Sequence, residues 1–297
     1  MTVDELNDCF ALPGFLSFVE SPLGGPVARL ATAGGTAEVA LKGAHVLAWQ
    51  PADFGPALYL SPATRLDDSH PIRGGVPVCW PWFATHPTAA GAPNHGTVRT
   101  RQWRVARAQL APDGGSAAIT LSSDGTGLAG NPLAVSLTVT LSKRLMMTLE
   151  TQNHGATPET LPQALHTYFS VSDISKVRIE GLEGHDYLDK LDNYARKPQA
   201  GAIAFDREVD RIYLGAATPT IVDTGFHRRI TVDSLATSRS TVVWNPWIEK
   251  TMRLGDMPAD GYRSMVCVET GNVADDAVVL LPGGTARLTA SLSIARD

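Results

Sequence analysis

Two stretches of strict alternation between apolar and polar residues constrain the fold of this chain most. Residues 133–141 place five Leu and Val side chains on one side and Ala, Ser and Thr on the other, and residues 286–294 repeat the pattern. Successive side chains of a strand point to opposite faces, so a period of two predicts strands with one buried face. Five shorter runs rich in Val, Ile, Thr, Met and Leu also favour strands: 117–121, 146–151, 230–232, 241–244 and 265–270.

Short segments rich in Gly, Pro, Asn and Asp separate these runs and are typical of tight turns. They lie at 112–115, 124–125, 153–155, 260–261 and 282–284. The strand–helix alternation of a parallel α/β sheet is absent, and no helical periodicity persists beyond a few turns. The sequence therefore predicts an all-β fold, a large antiparallel β-sandwich. Because no linker, repeat or low-complexity tract marks a boundary, we expect residues 1–297 to form one domain.

The charge and the terminus exclude several classes of protein. The net charge of −5, without runs of Lys or Arg, provides no surface for a nucleic-acid backbone. The first ten residues have neither a basic nor an apolar leader, and no stretch is apolar enough to cross a membrane. Cys9, Cys79 and Cys267 are far apart, which predicts small buried thiols in a reducing compartment. We expect a cytoplasmic protein, and a monomer by default.

An unusual segment with arginines and aromatic residues spans 71–83 and continues at 94–99. Arg73 is followed by two glycines, which allow a backbone to approach a ligand closely. A guanidinium group offers two parallel N–H donors to a phosphate or carboxylate, and Arg99 can supply a second such group. The alternative interpretation is that the aromatic residues close one end of the sandwich while the arginines pair with surface acids.

Three ionisable residues stand inside or beside strand-like runs. His166 lies in an apolar run, where a histidine is more often a core residue than a catalyst. Glu269 ends the run 265–268, and an ionised glutamate inside a sandwich normally faces a cleft or a partner. Asp210 belongs to 208–213, where acids and an arginine also fit a surface ladder of ion pairs. Each position is open to a structural or a functional role.

Cofactor motifs are missing from the sequence. The eight histidines form no H-x-H or H-x-x-x-H pair, and no Cys/His cluster has zinc spacing. There is also no G-x-G-x-x-G, Walker loop or G-x-S-x-G. We therefore expect neither a metal nor a nucleotide cofactor.

Together these segments resemble the glucose-6-phosphate 1-epimerases, the hexose-6-phosphate mutarotase branch of the aldose 1-epimerase (galactose mutarotase) superfamily. The resemblance covers most of the chain, and the motifs that carry it are LKGAHVLAW at 41–49, RGGVP at 73–77, HGTVR at 95–99, LHTYF at 165–169, EVDRIY at 208–213, WNPW at 244–247 and the segment 256–269. It implies the galactose mutarotase-like supersandwich. By position it implies His166 and Glu269 as the catalytic pair, and Arg73, Asn94, His95, Arg99 and Asp210 as substrate-binding residues.

The implied reaction is the interconversion of α and β anomers of a hexose 6-phosphate, most simply glucose 6-phosphate. One base removes the proton of the C1 hydroxyl, and one acid protonates the ring oxygen. With ordinary pKa values, Glu269 at about 4.3 is ionised at neutral pH and His166 at about 6.5 can hold the proton. Arg73 and Arg99 would bind the phosphate, Asp210 the sugar hydroxyls, and Trp or Phe rings would pack on the pyranose.

Three other functions compete with this one. A non-catalytic carbohydrate-binding sandwich would keep the pocket without turnover, but both proton-transfer residues are present. A neutral-sugar aldose 1-epimerase would need no phosphate-binding arginines. A glycosidase or lyase would use Glu269 and Asp210 as a carboxylate pair, whose separation decides the mechanism.

Overall fold

The computed structural model describes residues 1–65 and 71–297. In chain order, the strands are β1 (Leu16–Glu20), β2 (Pro26–Thr32), β3 (Gly35–Ala40), β4 (His45–Pro51), β5 (Val78–Cys79), β6 (Arg104–Leu110), β7 (Ala117–Thr126), β8 (Pro132–Leu141), β9 (Leu145–Asn153), β10 (Glu159–Leu161), β11 (Gln163–Leu165), β12 (Tyr168–Ser170), β13 (Val177–Glu180), β14 (Asp186–Asp189), β15 (Ala195–Pro198), β16 (Ile203–Ala204), β17 (Val209–Leu214), β18 (Thr220–Asp223), β19 (Arg228–Asp233), β20 (Ser240–Asn245), β21 (Met265–Asn272), β22 (Val278–Leu280) and β23 (Thr285–Arg296). The helices are α1 (Val3–Phe10) and α2 (Trp247–Leu254), and 3₁₀ turns cover Val98–Thr100, Ile174–Lys176, Lys190–Asp192, Gly261–Ser264 and Ala274–Asp276.

The strands of residues 1–65 and 71–297 form two large antiparallel sheets and two smaller ones. The nine-stranded sheet has the order β16-β13-β18-β19-β23-β9-β8-β7-β6. The eight-stranded sheet has the order β15-β14-β17-β20-β21-β11-β5, and β12 also pairs with β21. Strands β1 to β4 form a third sheet, and β10 pairs with β22. The predicted all-β antiparallel architecture is confirmed, whereas the single domain stays a prediction.

The main hydrophobic core lies between the sheets. Leu137, Leu149 and Leu288 of the nine-stranded sheet share one buried cluster with Val243 and Val268 of the eight-stranded sheet. All seven predicted strands lie within β7, β8, β9, β19, β20, β21 and β23. Their alternation survives on β8, where every second side chain is buried.

Two sequence expectations about local structure are wrong. Asp124 and Gly125 form no turn but belong to β7, because Gly125 lets the strand pass close to the ring of Trp80, where a Cβ atom would lie 2.7 Å away. The reversal follows at residues 127–131. Cys9 is exposed rather than buried, because α1 packs its Val3, Leu6 and Phe10 stripe on the core and Cys9 lies outside that stripe. Cys79 and Cys267 are buried, and all three thiols are free.

The eight-stranded sheet has a second covered face, which explains why β21 is buried along its whole length. Residues directly opposite each other on paired strands share a face. Asp210 opposes Trp244, and Trp244 opposes Cys267, so these residues and Glu269, two positions along β21, lie on one face. Val243 and Val268 lie on the other face, in the core. We call the first the pocket face.

Candidate active site

A cavity of about 470 Å³ lies on the pocket face and contains every site residue that the sequence predicts. Its lining is Pro71, Ile72, Arg73, Pro77, Phe83, Ala84, Thr85, Asn94, His95, Arg99, His166, Tyr168, Lys190, Tyr194, Asp210, Trp244, Lys250, Leu254, Asp256 and Glu269. We call His166, Asp210 and Glu269 the floor residues, and Arg73, Asn94, His95 and Arg99 the rim residues. Another hollow, of about 420 Å³ beside Phe15, has Arg29 and Glu38 as the charged residues of its lining, and these two form an exposed ion pair.

His166 stands where the chain passes from β11 to β12, both of which pair with β21. At this irregular step its backbone N–H donates to the carbonyl of Pro77, at 3.0 Å, instead of to β21. A local interruption of strand pairing changes the direction in which a side chain points, and here the imidazole of His166 points into the cavity. The ring stacks on Tyr168 with centroids 4.8 Å apart and meets Trp244 edge-on at 5.9 Å. These contacts fix its orientation.

Glu269 is the partner of His166, with Oε1 of the carboxyl group 3.3 Å from Nδ1 of the ring. Only 1% of Glu269 is exposed. Neither its Oε2 nor Nδ1 of His166 has a hydrogen-bond partner among the described residues, so the 3.3 Å approach is a close contact and not a formed hydrogen bond. Burial raises the pKa of Glu269 well above its usual value; Lys190 opposes this rise and Asp210 adds to it. Burial also lowers the pKa of His166 well below its usual value, and His95, Arg73, Arg99 and Lys190 lower it further.

The reference pKa values of an exposed glutamate and an exposed histidine therefore do not describe Glu269 and His166. Both shifts favour the arrangement in which Glu269 holds the proton and His166 is uncharged. A charged imidazole beside an ionised carboxylate holds the same number of protons, namely one for the pair. In either arrangement the site provides one acid and one base in contact.

Asp210 faces the cavity from β17 and is not part of a surface ladder. Its Oδ2 lies 2.9 Å from Nζ of Lys190, and its buried Oδ1 has no hydrogen-bond partner among the described residues. Burial raises the pKa of Asp210, and the charge of Lys190 opposes that rise. The free oxygen is an acceptor available to a ligand.

Arg73 projects from the loop before β5. Its Nε donates to Asp256 at 3.0 Å, and its Nη1 donates to the hydroxyl of Tyr168 at 2.8 Å. The interpretation that an arginine pairs with an acid is thus correct for Arg73, but Asp256 itself lines the cavity. Each group leaves further N–H donors or oxygen atoms for a ligand.

The two glycines after Arg73 are required by the packing of the loop against protein backbone. Gly74 and Gly75 have positive φ angles of 110° and 59°, and side chains there would overlap the carbonyl oxygens of Tyr59 and Val46. His45 fixes the same loop, with Nε2 2.7 Å from the carbonyl oxygen of Gly74. The glycines therefore let the loop pack against protein backbone, which positions Arg73.

The other rim residues lie on one short turn. Arg99 donates from Nη2 to the backbone carbonyl of Asn94 at 2.6 Å. His95 accepts from the backbone N–H of Ala84 through Nδ1 at 3.2 Å, so its proton is on Nε2. Burial lowers the pKa of His95 to about 3, with Arg99, Lys190 and Arg73 adding to the effect. His95 is therefore uncharged and keeps one N–H donor.

Sequence reasoning missed several lining residues. Tyr168 follows His166 by two positions in the same strand-like run, so the period of two was a usable signal for it. Lys190 and Asp256 gave no signal, because their neighbours Asp210 and Arg73 come from distant parts of the chain. The Trp and Phe rings that line the cavity are those of Trp244 and Phe83, whereas Trp80 is a core residue that donates to Thr151 at 2.9 Å.

A potential metal-ligand cluster was also invisible to motif spacing. His166, Cys267 and Glu269 place one ligand atom each within 4.8 Å of one another, because Cys267 and Glu269 share one face of β21 and His166 lies beside that strand. Arg73, Arg99 and Lys190 line the same cavity, and their charges repel a cation there. The absence of a metal cofactor stays a prediction.

Comparison with known proteins gives the family of this chain. Residues 26–293 match the family model described as aldose 1-epimerase. The chain belongs to the aldose 1-epimerase family. A relative from Escherichia coli strain K12 is 34% identical over 241 residues, 80% of each chain, and its name proposes a glucose-6-phosphate 1-epimerase. A relative with the same name from Cenchrus ciliaris is 32% identical over 83% of this chain and 78% of its own.

Solved structures agree with this aldose 1-epimerase assignment. A Salmonella typhimurium protein whose title proposes a mutarotase superposes with a TM-score of 0.86 at 28% identity, over 97% of this chain and 96% of its own. A galactose mutarotase-like protein from Clostridium acetobutylicum reaches 0.69 at 15% identity, over 95% and 99%, and shows the fold alone. The predicted family and supersandwich fold are confirmed. Among the helices of residues 1–65 and 71–297, none is long and apolar enough to span a membrane.

Proposed function

We propose that this aldose 1-epimerase interconverts the α and β anomers of a hexose 6-phosphate, with glucose 6-phosphate as the first candidate. The observation that carries the proposal is the contact between His166 and Glu269, 3.3 Å apart, in a cavity whose rim holds two arginines. The names of the relatives from Escherichia coli and Cenchrus ciliaris support the same substrate class.

The pair supplies both proton transfers that the reaction needs. The base of the pair takes the proton of the C1 hydroxyl while the acid protonates the ring oxygen, and the bond between C1 and the ring oxygen breaks. The resulting aldehyde rotates about the C1–C2 bond. The ring oxygen then returns its proton and attacks the other face of C1, whose oxygen is reprotonated. No proton is gained or lost overall, so one shared proton on His166 and Glu269 is sufficient.

Either member of the pair can begin as the acid, because closure reverses the roles of ring opening. Each positioned proton transfer is typically worth about 10²–10⁴ in rate. Burial of Glu269 and His166 removes competing water from the two groups. The geometry thus suits a reaction that proceeds slowly without an enzyme.

The rim provides the contacts for the phosphate. We assign phosphate binding to Arg73 and Arg99, whose guanidinium groups fit phosphate oxygens in a bidentate manner. Both arginines also lower the pKa of His166. A bound phosphate offsets their charge, so an anionic substrate raises the affinity of His166 for the proton at the moment of reaction. A neutral sugar lacks this effect.

The sugar ring has its own set of contacts. We assign Oδ1 of Asp210 as an acceptor for a sugar hydroxyl and Nε2–H of His95 as a donor. Asn94 is assigned to the rim of the same site. Trp244 and Phe83 line the cavity and offer apolar rings for the pyranose face.

The test is exchange spectroscopy by NMR on equilibrated anomers of glucose 6-phosphate, with glucose in a parallel sample. We expect enhanced α–β exchange of the phosphate ester with the native protein and none with Glu269→Gln. Enhancement of both sugars would favour a neutral-sugar aldose 1-epimerase. Enhancement of neither, with binding retained, would favour a carbohydrate-binding protein.

We further propose that the enzyme works as a cytoplasmic monomer of one domain without a metal or nucleotide cofactor. Exhaustive dialysis against a chelator should leave the exchange rate unchanged, and readdition of divalent ions should not raise it. Analytical ultracentrifugation should give the mass of a single chain. A rate that depends on added metal would contradict the assignment of His166 and Glu269 as a metal-free pair.

A further inference from the structure

Lys190 is a cavity residue that none of the sequence motifs pointed to. It begins the 3₁₀ turn Lys190–Asp192 directly after β14, and 20% of its side chain is exposed. Its Nζ lies 2.9 Å from Oδ2 of Asp210 and 5.7 Å from the centroid of the Phe83 ring. The ammonium group therefore stands between a strand residue of the floor and an aromatic residue of the rim loop.

The ion pair fixes one oxygen of Asp210 and leaves the other free. Oδ1 is buried and has no hydrogen-bond partner among the described residues. A partly buried ion pair contributes little to folding, because desolvation offsets most of the attraction. An ammonium group carries three N–H donors, and the bond to Asp210 uses one of them. The arrangement holds a carboxylate in one orientation toward the cavity.

Lys190 also belongs to the charged surroundings of Glu269. The titratable groups that face Glu269 from neighbouring elements are His166, Lys190, Asp210, Cys79, Cys267 and Tyr168. Among them Lys190 is the group that opposes the effect of burial on the pKa of Glu269, and it lowers the pKa of His166 as well. Burial lowers the pKa of Lys190 itself, but Asp210, with smaller contributions from Glu269 and Tyr194, outweighs that effect, so the pKa is raised.

We propose that Lys190 is a positioning residue of the acid–base site: its ammonium group orients Asp210 toward the sugar and adds a positive charge beside the His166–Glu269 pair. This inference rests on the proposed function, because it assigns Lys190 to the same reaction.

Removal of the Lys190 charge should shift the pKa values of Glu269 and His166 in the same direction. Without Lys190, the protonated forms of Glu269 and His166 both become more favourable, so both limbs of the pH–rate profile move to higher pH. A nearby charge shifts a pKa by about 1–3 units, and we expect the lower end of that range for the loss of Lys190. Relative to its own maximum, kcat/KM of Lys190→Met for glucose 6-phosphate should therefore fall about tenfold on the acid limb and rise on the alkaline limb.

The kinetic test compares Lys190→Met with Lys190→Arg and with Lys197→Met. Arginine keeps the charge and should return both limbs to their native pH. Lys197 pairs with Asp189 and Asp192 outside the cavity, so its replacement should leave the profile in place. A purely structural role would lower the rate equally at every pH. A Lys190→Met profile that keeps its native position would overturn the proposal.

A second measurement separates this inference from the proposed function. With ¹³C-carboxyl-labelled glutamate, the Glu269 resonance is identified by its loss in Glu269→Gln and is titrated by NMR without substrate. Its midpoint should move up by about one pH unit in Lys190→Met and stay in place in Lys197→Met. An unchanged midpoint would refute the role of Lys190 even if the enzyme turns over. A shifted midpoint without any turnover would refute the proposed function alone.

Discussion

The floor and the rim of the cavity are built in different ways. Two of the floor residues are fixed by strand pairing in the eight-stranded sheet, where Asp210 opposes Trp244 and Glu269 opposes Val242. The third, His166, stands at the step between β11 and β12 and is held by ring contacts with Tyr168 and Trp244. The rim residues lie in the irregular segment 71–99, whose only strand is the short β5. Glu269 is 1% exposed, whereas Asn94 is exposed.

This difference matches what each part has to do. Proton transfer requires heavy atoms within hydrogen-bond distance, and paired strands hold them there. Binding of a phosphate depends on charge and on donor direction, which a loop can supply when its backbone is anchored. The comparison predicts that floor substitutions change the chemical step, whereas rim substitutions change substrate binding and selectivity.

The largest expected effect is that of Glu269→Gln, which keeps the shape of the side chain and removes its proton chemistry. We expect kcat for the anomerisation of glucose 6-phosphate to fall by about 10³ with little change in KM, because one positioned proton transfer is lost. Measurement of the exchange rate by NMR over a range of substrate concentrations separates the two constants.

The matched control for this substitution is Glu20→Gln, at the exposed end of β1. It should retain the native rate. A native kcat in Glu269→Gln would show that Glu269 takes no part in the chemical step. The predicted difference between floor and rim substitutions would then fail.

Arg73→Ala should have the next largest effect, and it should act on binding. Loss of one phosphate-binding guanidinium group should raise KM for glucose 6-phosphate about thirtyfold, as expected for a charged hydrogen bond of roughly 2 kcal/mol. The chemical step should change less, since Arg73 contacts Asp256 and Tyr168 rather than Glu269. Arg29→Ala, which removes an exposed ion pair on β2, is the control.

The same variant tests whether the rim selects the phosphate ester. Any slow exchange of glucose should be unaffected by Arg73→Ala. If KM for both sugars rose equally, Arg73 would serve the shape of the cavity rather than the phosphate, and the division between floor and rim would fail.

Much of the fold could be predicted from the sequence, because period-two burial is a local signal. Residues 133–141 and 286–294 have one face in the core, and their alternation is visible in the chain. The turn expected at 124–125 was wrong because tertiary packing against Trp80 requires a glycine inside a strand. Strand β21 is likewise buried on both faces because one face lies in the core and the other lines the cavity. No local sequence pattern shows that cavity.

The candidate site was predictable in its residue types and much less in its geometry. The resemblance to known epimerases indicated His166, Glu269 and Arg73, and all of them line one cavity. The partners Lys190 and Asp256 are brought in by strand pairing and by a loop far along the chain, so spacing could not reveal them. The pKa shifts of His166 and Glu269 arise from burial, which ordinary reference values leave out.

The pH dependence of the free energy of unfolding tests the burial of Glu269, the property that distinguishes the floor from the more exposed rim. Because burial raises the folded-state pKa of Glu269, its contribution to stability is present at low pH and is lost as the pH rises through the folded pKa. Glu269→Gln lacks this loss, so its stability relative to the native chain should increase as the pH rises from about 4.3, the ordinary glutamate value, towards the raised folded-state value, by at most about 1.4 kcal/mol per pH unit. Urea unfolding at a series of pH values from about 4 to about 9 measures the trend, with Glu20→Gln as the control. A stability difference that stays constant with pH would mean that Glu269 ionises as an exposed glutamate does.

The smallest effect is expected for Asn94→Ala, at the rim. The contact that Asn94 makes within the rim is through its backbone carbonyl, which accepts from Arg99 at 2.6 Å, and alanine retains that carbonyl. The side chain is exposed, so its loss should raise KM for glucose 6-phosphate by no more than about threefold, the size of one weak exposed hydrogen bond. Arg99→Ala is the informative comparison, because it removes the other half of the same contact and should raise KM about tenfold. An Asn94→Ala effect as large as that of Arg99→Ala would show that the amide itself contacts the substrate. In that case the position of the substrate at the rim would depend on the side chain of Asn94 and not only on the anchored backbone.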